Sequence, residues 1–384
     1  MDRIYRCMFI VIGVLIFYQT ASAERTMQTN GFITASFSQV DSEVPFAGVK
    51  DEINFSQNSL VGLQTIFTPS DRSRQFIIQF LAEGVDDWQA GAEWAFFKYT
   101  PSDNLEFQLG KVRVPLTIIS ESIHIGLTYP WARPPDEVFF IPFTSADGLR
   151  VKGRLNLFGG EFTPQFLIAE GSGLTLNLFG QALDIEDIRL YSFIFGWQSD
   201  HLNIRASIHR GDDLTLADSG ALRAQLSNAQ AIATLTQLGI DLLNSPPTEK
   251  VEIDNLSVAY TNGALRILAE VASFEILDSV FLPESESGFL NIGYQFGQIF
   301  PHITYAFTDA KYIAAVDRSQ ESVILGIRYD LNPSTALKID IVQSELDDGP
   351  LTTGSYDTFH PSLGNTVVLD DEVLAVNAAV NVVF

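Results

Sequence analysis

The sequence closes on "LAVNAAVNVVF", Leu374 to Phe384, a stretch with no charged side chain in a protein whose formal net charge is -24. Counted by twos, Leu374, Val376, Ala378, Val380, Val382 and Phe384 share one face, and Asn377 and Asn381 the other. That is the period of a β-strand, not of a helix. A strand with one apolar face needs an apolar surface beside it, either a protein core or the hydrocarbon of a membrane.

The opposite end narrows the choice. "MDRIYR" carries two Arg, "CMFIVIGVLIFY" is an unbroken apolar run, and "ASA" at Ala21 to Ala23 has the small-x-small form cut by signal peptidase. Residues 1–23 therefore read as a removed secretory signal, and 24–384 as the mature chain. A membrane-anchoring helix, the competing reading, needs about twenty apolar residues, and the run is too short for one. Cys7 lies within the signal, so the mature chain depends on no disulfide. No later stretch is long enough for a membrane helix. An exported chain of this kind can enter a membrane only as a closed barrel, which satisfies every backbone group of a sheet in hydrocarbon. Nucleic acid is excluded as a partner, because a strongly acidic chain repels phosphates.

Alternating polarity recurs over 31–40, 53–67, 74–83, 90–99, 105–113, 147–158, 161–170, 185–198, 202–211, 253–261, 264–276, 288–297, 299–308, 322–331, 335–346 and 373–384. These are sixteen candidate strands, an even number as single-chain bacterial barrels require. Their connections sort by parity. Those after even-numbered strands are short ("TPSDRS", "TPSDN", "GG", "SDH", "NG", "Q", "NPS"), and those between are longer, above all 114–146 and 212–252. Short turns on one rim and long loops on the other are the outer-membrane pattern, and a soluble sandwich has no reason for it. Aromatics near strand ends, such as Phe96, Phe97 and Tyr99, suit girdles at the two interfaces. The predicted fold is an all-β transmembrane antiparallel barrel of sixteen strands, and Leu374 to Phe384 is uncharged on one face because that face meets lipid. Phe384 would sit at the periplasmic rim.

Phasing by the apolar face predicts what points inward. In "DGLRVKGRLNLF", Leu149, Val151, Leu155 and Leu157 turn to lipid and Arg150, Lys152 and Arg154 to the lumen. The same logic adds Arg205, His209, Arg266, Arg328 and Lys338, with Glu106, Glu270, Asp330 and Asp340 as inward acids. Other acids crowd the long loops, which predicts an acidic outer mouth above a partly basic wall. That mouth would bind divalent cations and lipopolysaccharide, and the wall would favour anions. Lumen charges that merely keep the channel wet are the alternative.

The connection "KVRVPLTIISESIHIGLTYPWARPPDEVFFIPF" is too apolar for a solvated loop: Ile118, Ile119, Ile123, Ile125, Leu127, Tyr129, Trp131, Phe139, Phe140 and Phe143 need burial. It is expected to fold into the barrel and constrict it, with Glu121, His124, Arg133, Asp136 and Glu137 facing the basic wall across an eyelet. Packing outward into a subunit interface is the alternative. In 212–252, Leu222, Leu226, Ala229 and Leu235 have helical spacing, which predicts a helix ended before Pro246. It would serve as a lid or as packing among loops.

The stretch Gly110, Lys111, Arg113, Pro115, Leu116, followed by Tyr129, Pro130, Trp131, Arg133, Pro134 and Pro135, resembles the constriction-loop region of Gram-negative porins. The likeness is greatest to the branch of phosphate-selective and dicarboxylate-type channels. The resemblance implies a sixteen-stranded barrel, a homotrimer, and diffusion of small hydrophilic solutes. The terminal Phe384 is similar to the signal read by the barrel-assembly machinery. The loop lacks a dense run of Lys and Arg, which speaks against strict phosphate selectivity.

No catalytic spacing stands out: the histidines His124, His201, His209, His302 and His360 form no HExxH, and there is no GxSxG or P-loop. No enzyme activity and no cofactor or metal are expected. The function expected is that of a passive outer-membrane porin, possible anion preference included, in a Gram-negative bacterium. An outer-membrane receptor or adhesin working through its long loops is the alternative.

Overall fold

The computed structural model describes residues 26–42, 46, 48–49, 51–70, 72–139, 144–171, 174–178, 181–216, 249–277, 284–312, 316–348 and 372–384. The signal reading of 1–23 and the helix expected within 212–252 lie outside these residues, as do Phe140 and Phe143.

Eighteen strands form one sheet: β1 (Thr26–Val40), β2 (Leu60–Thr68), β3 (Arg74–Glu83), β4 (Gly91–Ser102), β5 (Leu105–Arg113), β6 (Ser145–Gly153), β7 (Leu155–Leu157), β8 (Gly160–Gly171), β9 (Leu174–Leu178), β10 (Gln181–Gln198), β11 (Leu202–Leu216), β12 (Glu249–Asn262), β13 (Leu265–Leu277), β14 (Glu284–Tyr294), β15 (Ile299–Tyr312), β16 (Val316–Asn332), β17 (Thr335–Asp348) and β18 (Glu372–Val383). Two of them continue a neighbour. β7 carries on from β6 past Arg154, both pairing with β8, and β9 extends β8 along β10. The wall therefore has sixteen staves, all paired antiparallel.

Closure is made by the two ends of the described chain. β1 pairs with β18 from Phe32↔Val383 to Val40↔Ala375, and Gly31 and Phe384 exchange backbone hydrogen bonds of 2.8 and 2.9 Å. The Phe384 ring lies so close over Gly31 that a Cβ there would meet it at 2.3 Å, so glycine makes room for the seam. A sheet closed this way has no open edge, and each N–H and C=O of the wall can find its partner within the wall.

Alternation divides the wall into two faces. On β17, Leu337, Ile339 and Ile341 are exposed while Ala336, Lys338 and Asp340 are buried. On β15, Ile299, Ile303 and Tyr305 point out and Phe300, His302, Thr304 and Ala306 point in. On β18 Leu374 and Val380 are exposed, as is Phe384 just beyond its end, and Asn377 and Asn381 are buried inside. The outer surface is thus a continuous belt of Leu, Ile, Val and Phe, far larger than the apolar patches that a soluble protein exposes. No helix among the described residues is long and apolar enough to cross a membrane, and a barrel needs none.

The second strand starts later than the alternation suggests. Residues 53–59 form a turn in which Asn54 Oδ1 accepts from Ser56 N, Ser56 Oγ and Gln57 N, so the ladder begins at Leu60. An Asn that binds the backbone just ahead of it competes with strand pairing. Other strands run longer than expected. β10 has 18 residues, against roughly 9–11 for a tilted membrane strand, so the ladder stands well clear of a bilayer on the long-loop side.

Candidate functional site

The candidate site is the barrel interior, shaped by the segment between β5 and β6. From Val114 onward this segment runs along the inner wall. Its apolar side chains Ile119, Tyr129, Trp131, Val138 and Phe139 pack on the inward-facing Phe289, Ala306 and Ile324 of β14 to β16. Trp131 is completely buried, edge-on to Phe289 with ring centroids 5.3 Å apart, and its Nε1–H donates to Thr304 Oγ1 at 2.8 Å. Val114 and Leu116 join Val112, Leu167, Leu190 and Val251 in a second apolar cluster on the inner face. The hydrophobic character that set this stretch apart in the sequence is thereby satisfied inside the barrel.

The wall holds the segment mainly through its backbone. Lys338 Nζ donates to the carbonyls of Gly126 and Trp131, the latter at 2.9 Å, and sits 4.5 Å from the centre of the Tyr129 ring. Arg328 donates to the carbonyls of Leu127 and Tyr129 at 2.7 and 3.0 Å. Arg205 reaches the Pro115 and Leu116 carbonyls. Carboxylates take the opposite groups: Asp340 Oδ2 accepts from the N–H of Ala132 at 2.6 Å and of Arg133 at 3.4 Å, and Glu270 accepts from Ile118 N at 3.2 Å and from Asn255. Gly126 lies so near Asn381 that a Cβ would meet its Nδ2 at 2.0 Å. His302 Nε2 stands 3.7 Å from Asp340 Oδ1 beneath this seat, both side chains fully buried.

The segment's own charges divide. Glu121 accepts from Arg150 Nη1 at 2.7 Å, and its side chain is 54% exposed although it lies inside the barrel. The Arg150 guanidinium holds it down to about 2. His124 is partly buried 4.0 Å from Glu83, and desolvation, helped by Arg113, holds its imidazole well below the usual range. Arg133 and Asp136 bind each other at 2.9 Å. Glu137 is buried against Ser322 and Gln320 of β16, and burial raises its pKa. Burial also raises the Tyr129 phenol, whose Oη donates to the Ile123 carbonyl at 3.0 Å. Lys111 Nζ donates to the Ala92 carbonyl at 2.7 Å.

The sequence-derived wall residues separate in the same way. Arg205, Arg328 and Lys338 bind the segment's backbone, and Arg150 binds Glu121 and Gln165. Arg266 lies over the Phe300 ring at 5.2 Å. Lys152 pairs in register with Glu106, and Arg154 is exposed at the break between β6 and β7. Alternation missed Glu93. A register shift after Gln79 pairs Trp94 and Ala92 with successive residues and skips Glu93, which turns to bind Arg113 and to accept from Thr144 Oγ1 at 2.6 Å. A bulge re-aims one side chain without leaving a mark in the polarity pattern.

No family model and no curated protein sequence matches this chain. Solved structures do. An anion-selective porin from Comamonas acidovorans is similar over 94% of this chain and 100% of its own, with a TM-score of 0.59 at 14% identity. OmpT of Vibrio cholerae, folded in vitro and in its trimer form, is similar over 94% and 100%, with a TM-score of 0.55 at 11% identity. The outer membrane channel DcaP of Acinetobacter baumannii is similar over 95% and 99%, with a TM-score of 0.56 at 10% identity. At these identities the likeness is one of fold, and the closed sixteen-stranded barrel fits a sixteen-stranded porin architecture.

Proposed function

We propose that the chain is a passive diffusion channel for small hydrophilic solutes in the outer membrane of a Gram-negative bacterium, a conduit and not an enzyme. The observation that carries this reading is the pairing of an apolar outer belt with an interior where charged side chains keep contact with water, as the half-exposed Glu121 side chain does. A sealed core would not leave it so. Residues 1–23 serve as the export signal, 24–384 form the barrel, 114–146 act as the constriction, and 212–252 form a long external loop with a helix. Short turns face the periplasm.

The preferred solutes are anions. The cations on the wall opposite the seat, Lys98, Lys152 and Arg154, support this, as does the fold shared with an anion-selective porin. The protein assembles as a homotrimer, a reading supported by the trimer form of the Vibrio protein. Phe384 is the signal for the barrel-assembly machinery. The acidic rim binds lipopolysaccharide through divalent cations.

Single-channel recording in a planar bilayer under a salt gradient tests the proposal. Conductance in threefold steps, with a reversal potential of anionic sign, is the expected result. A folded barrel without conductance would refute the channel, and a cationic sign would refute the anion preference alone.

A further inference from the structure

Five strands of the wall away from the constriction seat carry two unlike rows of inward side chains. One row runs Ile66↔Ile77↔Phe96↔Gly110↔Gly148 across β2, β3, β4, β5 and β6 and contains no polar side chain. The next inward row on the periplasmic side runs Gln75↔Lys98↔Gln108↔Arg150. Two residues along a strand separate the rows, about 7 Å. Ile66, Ile77, Phe96, Lys98 and Gln108 are all partly exposed, although Phe96 also packs on the edge of the apolar cluster around Val112 and Val114 and Arg150 holds Glu121 of the segment. Packing on that cluster accounts for Phe96, and leaves Ile66 and Ile77 as partly exposed apolar side chains on the inner wall.

The charges beside the apolar row do not balance. Lys98 binds Glu106 at 3.1 Å, Arg150 binds Glu121 at 2.7 Å, and Lys152 lies in register with Glu106 but makes no ion pair within 4.0 Å among the described residues. Three cations against two carboxylates leave one positive charge, on Lys152 two inward rows from the apolar strip, with the Lys98 row between them. We propose that this patch is a solute-binding subsite for monocarboxylates with an apolar body, aryl or alkyl: the carboxylate rests near Lys152 and Lys98, and the body lies along Phe96, Ile77 and Ile66. Inorganic phosphate has nothing to place on the strip, and a dianion would leave one charge uncompensated. The subsite rests on the channel reading and adds the solute class to it.

Block of chloride current through the refolded mature protein tests the proposal, with benzoate, acetate and inorganic phosphate as probes. Benzoate should half-block at a concentration about tenfold below acetate, from burial of part of its ring, and phosphate should block no better than acetate. Ile77→Gln and Phe96→Ala should each bring benzoate towards acetate while leaving open-channel conductance in place. Lys152→Gln should weaken both acids to a similar degree. Heat-modifiable migration of each variant shows that its barrel is folded, and Ile77→Gln stands in should Phe96→Ala fail that check. Equal block by benzoate and acetate in the wild type, or discrimination that survives both apolar substitutions, overturns the subsite and leaves the channel standing. Absence of any current overturns the channel itself.

Discussion

The inner wall has two sides built by the same alternation and put to different ends. On β13 to β18, inward Lys338, Arg328, Asp340 and Glu270 are consumed by hydrogen bonds to one backbone segment. On β2 to β6, inward Lys152 makes no ion pair within 4.0 Å among the described residues and still meets the lumen, beside a Lys98 bound to Glu106. A count of inward charges therefore says little about what a passing solute encounters. What matters is which charges already have a partner, and in a barrel that depends on where the inserted segment comes to rest.

The contrast fails first if the seat can be removed without consequence. Asp340→Ala leaves two buried N–H groups of the segment without their acceptor, a loss of about 2–5 kcal/mol. A lower melting temperature and a larger, noisier conductance are expected. Trp131→Phe should cost less, on the order of 1–2 kcal/mol, because ring packing on Phe289 survives while the bond to Thr304 is lost. Thermal melts of the two variants side by side check the order.

Selectivity should respond on the open side only. Lys152→Gln is expected to move the reversal potential towards cations, and Arg328→Gln to move the melting temperature while leaving the potential nearly unchanged. Glu121→Gln should increase anion preference by removing the carboxylate beside Arg150, and should lower the melting temperature because that guanidinium is buried and keeps only Gln165. The pH dependence follows from the same pair. Arg150 depresses the Glu121 carboxyl from 4.5 to about 2, so the contribution is full above 4.5 and is lost as the pH falls through about 2. In the folded channel the Glu121 charge should persist below 4.5 and be lost only as the pH falls towards about 2, so a change in its contribution to the reversal potential already centred near 4.5 would show that the pair is not formed.

Glu137 should give the smallest effect and the opposite sign. Its folded pKa is raised by burial, so its contribution is full below the ordinary value of 4.5 and is lost as the pH rises through the folded value. Mild acidification should therefore raise the melting temperature slightly, and Glu137→Gln should abolish that dependence.

The barrel was legible in the sequence because each strand repeats the same period and each rim the same loop length. The apolar content of 114–146 was equally legible as a demand for burial. Where that segment would seat was not, because wall side chains hold it by carbonyls and N–H groups, which every residue type supplies. Asp340 and Ala132 are 208 positions apart, and nothing in either residue announces the other. Glu93 stayed hidden for a local reason: one bulge reverses the inside and outside of a strand whose polarity pattern is unbroken.

A wall that grips main-chain atoms specifies the course of the segment and leaves most of its letters free. Lys338, Arg328 and Asp340 would accept any insert able to follow the same track past Gly126 and Trp131. The barrel is in this sense a mould, and its filter a replaceable casting: residues along Glu121 to Ile125, short of the Gly126 that Asn381 keeps small, can be rewritten to sort different cargo without redesigning the vessel that carries them.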